Sequence, residues 1–196
     1  MAKEALKEQE IDVILLAIEM TKQAQHVEKC WAILKMINQA RRTHPEVINA
    51  SLGYYRTVFD SLVTSVFVGL GRLYDKDADA FSLYSLRTLL GISFKGINIA
   101  DIKTNSQKLN ALAPKIESLR NLRGKQYAHN DRELAWQSDW LEEQYPLSDE
   151  DIETLIRFAR KYCDFFSVMF VAEPIEDCIP PCEDFWNTIN ACAKHA

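Results

Sequence analysis

Residues that reverse a chain are scarce in this sequence, which has 6 glycines and 6 prolines among 196 positions. Sheet-rich folds need many tight turns, and those two residues serve most of them, so the scarcity argues for long helices. Long apolar runs are also missing. The longest, Val58 to Leu73, falls short of the roughly 20 residues a membrane span needs. Asp60, Ser61, Thr64 and Ser65 interrupt it, and it reads as a buried core helix. Positive charge is not in excess: the net charge is −5, which weakens any picture of a broad nucleic-acid-binding face and leaves room only for a local basic pocket. The start, Met1-Ala2-Lys3-Glu4-Ala5, has no apolar segment of the secretory kind. The five cysteines (Cys30, Cys163, Cys178, Cys182 and Cys192) are an odd number without framework spacing. Free thiols in a reducing cytosol are the simplest reading, so a cytoplasmic chain without membrane contact is expected.

What is present is an ordinary globular balance, 47% hydrophobic and 26% charged, in a length that suits one domain with a sizeable core. A first helix is predicted over 3–42, with Ile11, Ile14, Leu15 and Ile18 on one stripe and Val27, Trp31, Leu34 and Ile37 continuing it. Pro45 suits the first turn of a second helix carrying Leu52, Tyr55, Phe59, Leu62, Val66, Leu70 and Leu73. That helix is expected to be central and to end at Tyr74-Asp75-Lys76-Asp77. A shorter helix is predicted over 81–90, then a loop over 91–104. Another helix should start near Asn105 or Ser106 and break or restart at Ala113-Pro114. Ser148-Asp149-Glu150-Asp151 resembles a capping box and opens a helix with Ile152, Leu155, Phe158, Tyr162, Phe165 and Met169 on one face. After Pro174, Pro180 and Pro181 a last short helix is predicted over 183–193. The fold class is therefore all-α, with a main domain over 1–173 and a C-terminal extension over 174–196.

Chemistry concentrates between Arg120 and Asp131. Arg120, Arg123 and Lys125 put three cations within six positions, and His129 follows, one of only four histidines. Arginine grips phosphate oxygens with a planar fork, and histidine exchanges protons near neutrality. RNA cleavage needs both: a base for the ribose 2′-hydroxyl and a cation for the charge that develops on phosphorus oxygens. On a straight helix six residues advance about 9 Å and turn about 240° net, which puts Arg123 and His129 on different faces. Either the helix ends near Tyr127 and His129 swings round, or two chains complete one cleft about a two-fold axis.

Arg123, five intervening residues and His129 match the Arg-x4–6-His motif of HEPN (higher eukaryote and prokaryote nucleotide-binding) domains. The wider run Arg120-Asn121-Leu122-Arg123 followed by Tyr127-Ala128-His129-Asn130-Asp131 most resembles the branch named after abortive-infection protein U. The resemblance implies an antiparallel helical bundle of the HEPN type, here with a short extra C-terminal helix, that dimerises through its motif helices. It implies metal-independent RNA cleavage without a cofactor, often as the toxin of a phage-defence or toxin–antitoxin system. The expected partners are a second copy of the chain, RNA, and an antitoxin or nucleotidyltransferase-like protein. By the same resemblance Arg123 binds the scissile phosphate and His129 transfers the proton, while Arg120, Lys125, Tyr127 and Asn130 supply further RNA or phosphate contacts. Active members usually carry Asn, Asp or His directly after the motif arginine, where this chain has Gly124. The alternative is therefore a non-catalytic dimeric helical module that binds a partner protein or a nucleotide.

Blander assignments stand beside these. Arg120, Arg123 and Lys125 near a helix C-terminus oppose the helix dipole, and His129 can cap its last carbonyls. Cys178, Cys182, Cys192 and His195 have zinc-like spacings but are read as binding no metal. Trp136 and Trp140 read as a local hydrophobic clamp rather than a base-stacking pair. Asp75, Asp77 and Asp79 alternate as in a calcium loop but lack its glycine and distal glutamate, so they read as a solvated turn.

Overall fold

A computed structural model describes residues 2–77, 79–93, 99–123, 146–171 and 182–194. Every regular element among the described residues is a helix. In chain order these are α1 (Ala2–Thr43), α2 (Pro45–Ala50), α3 (Leu52–Leu73), α4 (Leu83–Ser93), α5 (Ile99–Ala111), α6 (Ala113–Leu122), α7 (Asp149–Val171) and α8 (Cys182–Ala193). None of the described helices is long and apolar enough to cross a membrane.

The long helix α1 is the spine, and α3 and α7 both pack along it. Two matched pairs fix the direction of α7. Lys35 on α1 meets Glu153 at 2.9 Å, and Glu28, one heptad earlier, meets Arg160, one heptad later, at 2.9 Å. The contacts run in opposite senses along the two helices, so α1 and α7 are antiparallel. The same reasoning orients α3: Val27 lies against Gly69 near its end, and Ala40 shares a cluster with Tyr55 near its start. Leu70, Leu73, Leu86, Leu109, Ile116, Leu119, Leu155 and Phe166 are fully buried in the main core. Each such side chain contributes about 1.5–3 kcal/mol relative to exposure.

Helix boundaries follow local chemistry. Ser82 and Ser85 cap the start of α4 reciprocally: the Ser82 amide donates to Ser85 Oγ at 2.8 Å, and the Ser85 amide donates to Ser82 Oγ at 3.3 Å. The capping box before α7 is present. The Ser148 amide donates to Asp151 Oδ2 at 3.0 Å, and the Asp151 amide donates to Ser148 Oγ at 3.1 Å. Pro114 sits in the first turn of α6, and α5 stops one residue before that helix begins.

Four sequence expectations are corrected. The helix opened by Pro45 does not run through to Leu73. Ser51 leaves helical geometry (φ −134°, ψ 41°), so that Val47 and Ile48 turn onto the end of α1. The first half of the predicted α1 stripe is rotated, with Leu15 56% exposed and Val13, Leu16, Ala17 and Met20 facing the core, whereas Val27, Leu34 and Ile37 of its second half are buried as expected. Nearly every position over 11–18 is apolar, so periodicity could not choose the face. The segment assigned to a loop over 91–104 is helical through Ser93 and again from Ile99. Its β-branched residues lower helix propensity, but Ile102, Leu109 and Leu112 sit at helical spacing on the core, and packing overrides propensity. Finally, α4 starts at Leu83 rather than Phe81, whose ring is left 79% exposed.

The C-terminal helix α8 forms its own small core. Ile189 is buried with Ala40, Val47 and Ile48, and Phe185 and Trp186 pack around them.

Candidate functional site

The end of α6 meets the end of α3. Leu119 and Leu122 bury the inner face of α6, which leaves Arg120 exposed and Arg123 at the rim. Arg123 keeps helical angles (φ −58°, ψ −50°) as the residue after α6. Its side chain then runs flat across Gly71 of α3. A β-carbon at position 71 would come within 2.3 Å of Arg123 Cδ and 2.9 Å of its Nε and Nη1. Those separations are far inside van der Waals contact, so the path of the arginine depends on the bare backbone of Gly71. Beyond the glycine, Arg123 Nη1 reaches Asp75 Oδ2 at 3.6 Å, with both side chains about one-third exposed. A pair of that length and exposure contributes roughly 0–1 kcal/mol.

Around this contact lies a cavity of about 160 Å³ lined by Gly71, Tyr74, Asp75, Lys76, Ile116, Leu119, Arg120 and Arg123. Together with Lys76, whose ammonium lies 5.9 Å over the Tyr84 ring, Arg120, Arg123 and Asp75 thus line a space the size of roughly five water molecules. That suits a single oxyanion such as phosphate better than a whole nucleotide.

The Tyr74 hydroxyl is already engaged. It donates to the Leu155 carbonyl at 2.7 Å, and burial pushes its pKa well above the usual phenol range. The described histidines also lie elsewhere. His26 is on α1 with Nε2 3.6 Å from Cys30 Sγ, and His44, between α1 and α2, has Nδ1 2.9 Å from Thr43 Oγ1. The cavity offers cations and no described group suited to exchanging protons at neutral pH.

Of the residues singled out by sequence, Arg120 and Arg123 line one cavity. Lys125, Tyr127, His129 and Asn130 lie outside the described residues, as do Gly124, Trp136, Trp140, Cys178 and His195. Sequence reasoning missed Gly71, Asp75 and Lys76. The aspartates of the 75–79 segment do form a turn, in which the Asp77 amide donates to Asp75 Oδ1 and the Asp79 amide to Asp77 Oδ1, both at 3.1 Å. Asp75 does more than shape that turn, because its second oxygen faces Arg123. Its signal in the sequence was Gly71 itself, a glycine inside an apolar helical stripe, which marks close approach by something.

Residues 11–170 match the family HEPN_AbiU2, described as AbiU2. The chain belongs to this HEPN family. The match runs from α1 to the penultimate residue of α7, so α8 lies beyond it, and it includes the Arg123-to-His129 segment. No curated protein and no solved structure matches the chain. For this HEPN domain the all-helical fold and the family therefore stand together, and the cavity at Arg123 sits where α3 and α6 converge.

Proposed function

We propose that this HEPN domain is a metal-independent endoribonuclease whose cleft is shared by two copies of the chain. The observation that carries the reading is the placement of Arg123 and Arg120 on one phosphate-sized cavity, with the histidine of the family motif six positions after Arg123. In this reading Arg123 binds the scissile phosphate, with Arg120 and Lys125 adding charge and Tyr127 and Asn130 contacting RNA. His129 takes the proton of the ribose 2′-hydroxyl. The 2′-oxygen then attacks phosphorus, the bond to the 5′-oxygen breaks, and a protonated imidazole returns a proton to that leaving oxygen. The reaction leaves a 2′,3′-cyclic phosphate and a free 5′-hydroxyl. Such activity suits a cytoplasmic toxin of a phage-defence or toxin–antitoxin system, restrained by an antitoxin or nucleotidyltransferase-like partner.

The test is cleavage of mixed RNA by the purified full-length chain in excess chelator. We expect cleavage that falls about a hundredfold or more in His129→Ala, the usual scale for losing a general base. Equal background in both proteins would sink the reading, and a strict monomer by light scattering would remove the shared cleft.

Two observations favour a second reading, a non-catalytic module that binds a partner protein or nucleotide. Asp75 already faces Arg123 and reduces the charge offered to phosphate, and Gly124 follows that arginine in place of a polar residue. Tight binding of an oligonucleotide without any cleavage would select it.

A further inference from the structure

Three glycines punctuate α3, and they differ in what a side chain would meet. Nothing lies within 4 Å of a β-carbon at Gly53. At Gly69 it would strike Val27 Cγ2 at 2.4 Å, so that glycine serves the packing of α3 on α1. At Gly71 all three nearest atoms belong to one side chain, Arg123. A helical glycine costs about 1 kcal/mol relative to alanine. Burial among apolar neighbours does not explain the cost at position 71, because the contact there is with a cation from another helix.

We propose that Gly71 and Asp75 form a seat at the end of α3 that sets where the Arg123 guanidinium meets a phosphate group. Gly71 lies in the last turn of α3 and Asp75 two residues past its end, one under the stem of Arg123 and one beside its tip. The stem is held by shape and the tip by charge. With both in place the guanidinium stays at the cavity edge next to Arg120, and part of its fork remains open to an anion. Neither residue touches the reacting atoms; both are positioning residues that act through Arg123. The proposal rests on the phosphate-binding role assigned to Arg123 above.

The experiment uses the full-length chain. The Arg123 Nε–Hε resonance is assigned by its loss in Arg123→Lys and then followed in Gly71→Ala, in Asp75→Asn and in Gly53→Ala. Gly71→Ala should fold, because the arginine stem can swing aside and alanine favours the helix. Its Arg123 resonance should shift, and Asp75→Asn should shift the same resonance without adding bulk. Gly53→Ala should leave it in place. On RNA, kcat of Gly71→Ala should fall about tenfold to a hundredfold with KM changed less than about threefold, as expected for a group displaced by about an ångström. An unmoved resonance in both Gly71→Ala and Asp75→Asn overturns the seat. So does a shifted resonance with unchanged kcat. A wild-type chain that cleaves no RNA removes the nuclease reading alone. In that case the seat stands if the resonance moves and inorganic phosphate perturbs it less in Gly71→Ala than in wild type.

Discussion

Asp151 holds three partners at once. Lys115 of α6 pairs with its carboxylate, and the amide and hydroxyl of Ser148 both donate to it. The lysine contact, followed by the serine contacts, holds its pKa down at about 2. A carboxyl with a depressed native pKa stabilises the fold fully above its unfolded value near 4. That contribution is lost as pH falls from about 4 through about 2. Screening at this partly exposed site leaves about 1 kcal/mol. Asp151→Asn should therefore lower the thermal midpoint at pH 7, and the gap should close as the pH is taken down toward 2. A gap independent of pH would show that the carboxylate charge is not what matters. Burial works in the opposite direction further along α7: it raises the Cys163 thiol to about 12, which leaves that side chain without thiolate at neutral pH.

At the scale of elements, α3 shows what a sequence discloses and what it conceals. Its apolar period was legible, and Val66, Leu70 and Leu73 are buried as that period requires. The start of α3 was not legible, because the step from Ala50 to Leu52 carries no proline or glycine and the bend at Ser51 answers to packing on α1. The capping box at Ser148 and the restart at Pro114 were legible because each is a local device with its own residues. The face of the first half of α1 and the first turns of α5 were not, because both are decided by neighbours distant in sequence. The candidate site divides in the same way. Arg123 stood out through its motif, while Asp75 and Lys76 reach it only once α3 and α6 converge. The glycines give a direct check on this picture. Gly69→Ala should cost about 1–3 kcal/mol by overpacking against Val27, whereas Gly53→Ala should be neutral or stabilising by about half a kcal/mol. Denaturant midpoints of the two variants would measure the difference, and equal destabilisation would contradict the close approach at Gly69.

The whole molecule has two centres of cohesion. The main core joins α1, α3, α4, α5, α6 and α7, and a smaller one joins α8 to the corner between α1 and α2. A helix tied by so few buried residues should open on its own. Ile189→Ala removes the one fully buried side chain among those described in α8, at a local cost of about 2–4 kcal/mol. Amide exchange within 182–193 should accelerate while that of α3 and α7 stays as in wild type. Equal loss of protection in all three would make α8 part of one cooperative unit with the bundle.

The arginine lying across Gly71 also has a consequence for ancestry. Two positions far apart in the chain are bound into one heritable unit: a side chain gained at 71 evicts the arginine, and a lineage that has lost the arginine no longer has reason to keep the glycine. Descendants should therefore have kept both residues or relaxed both, and a lineage keeping the arginine over a bulky residue at 71 should have rerouted it.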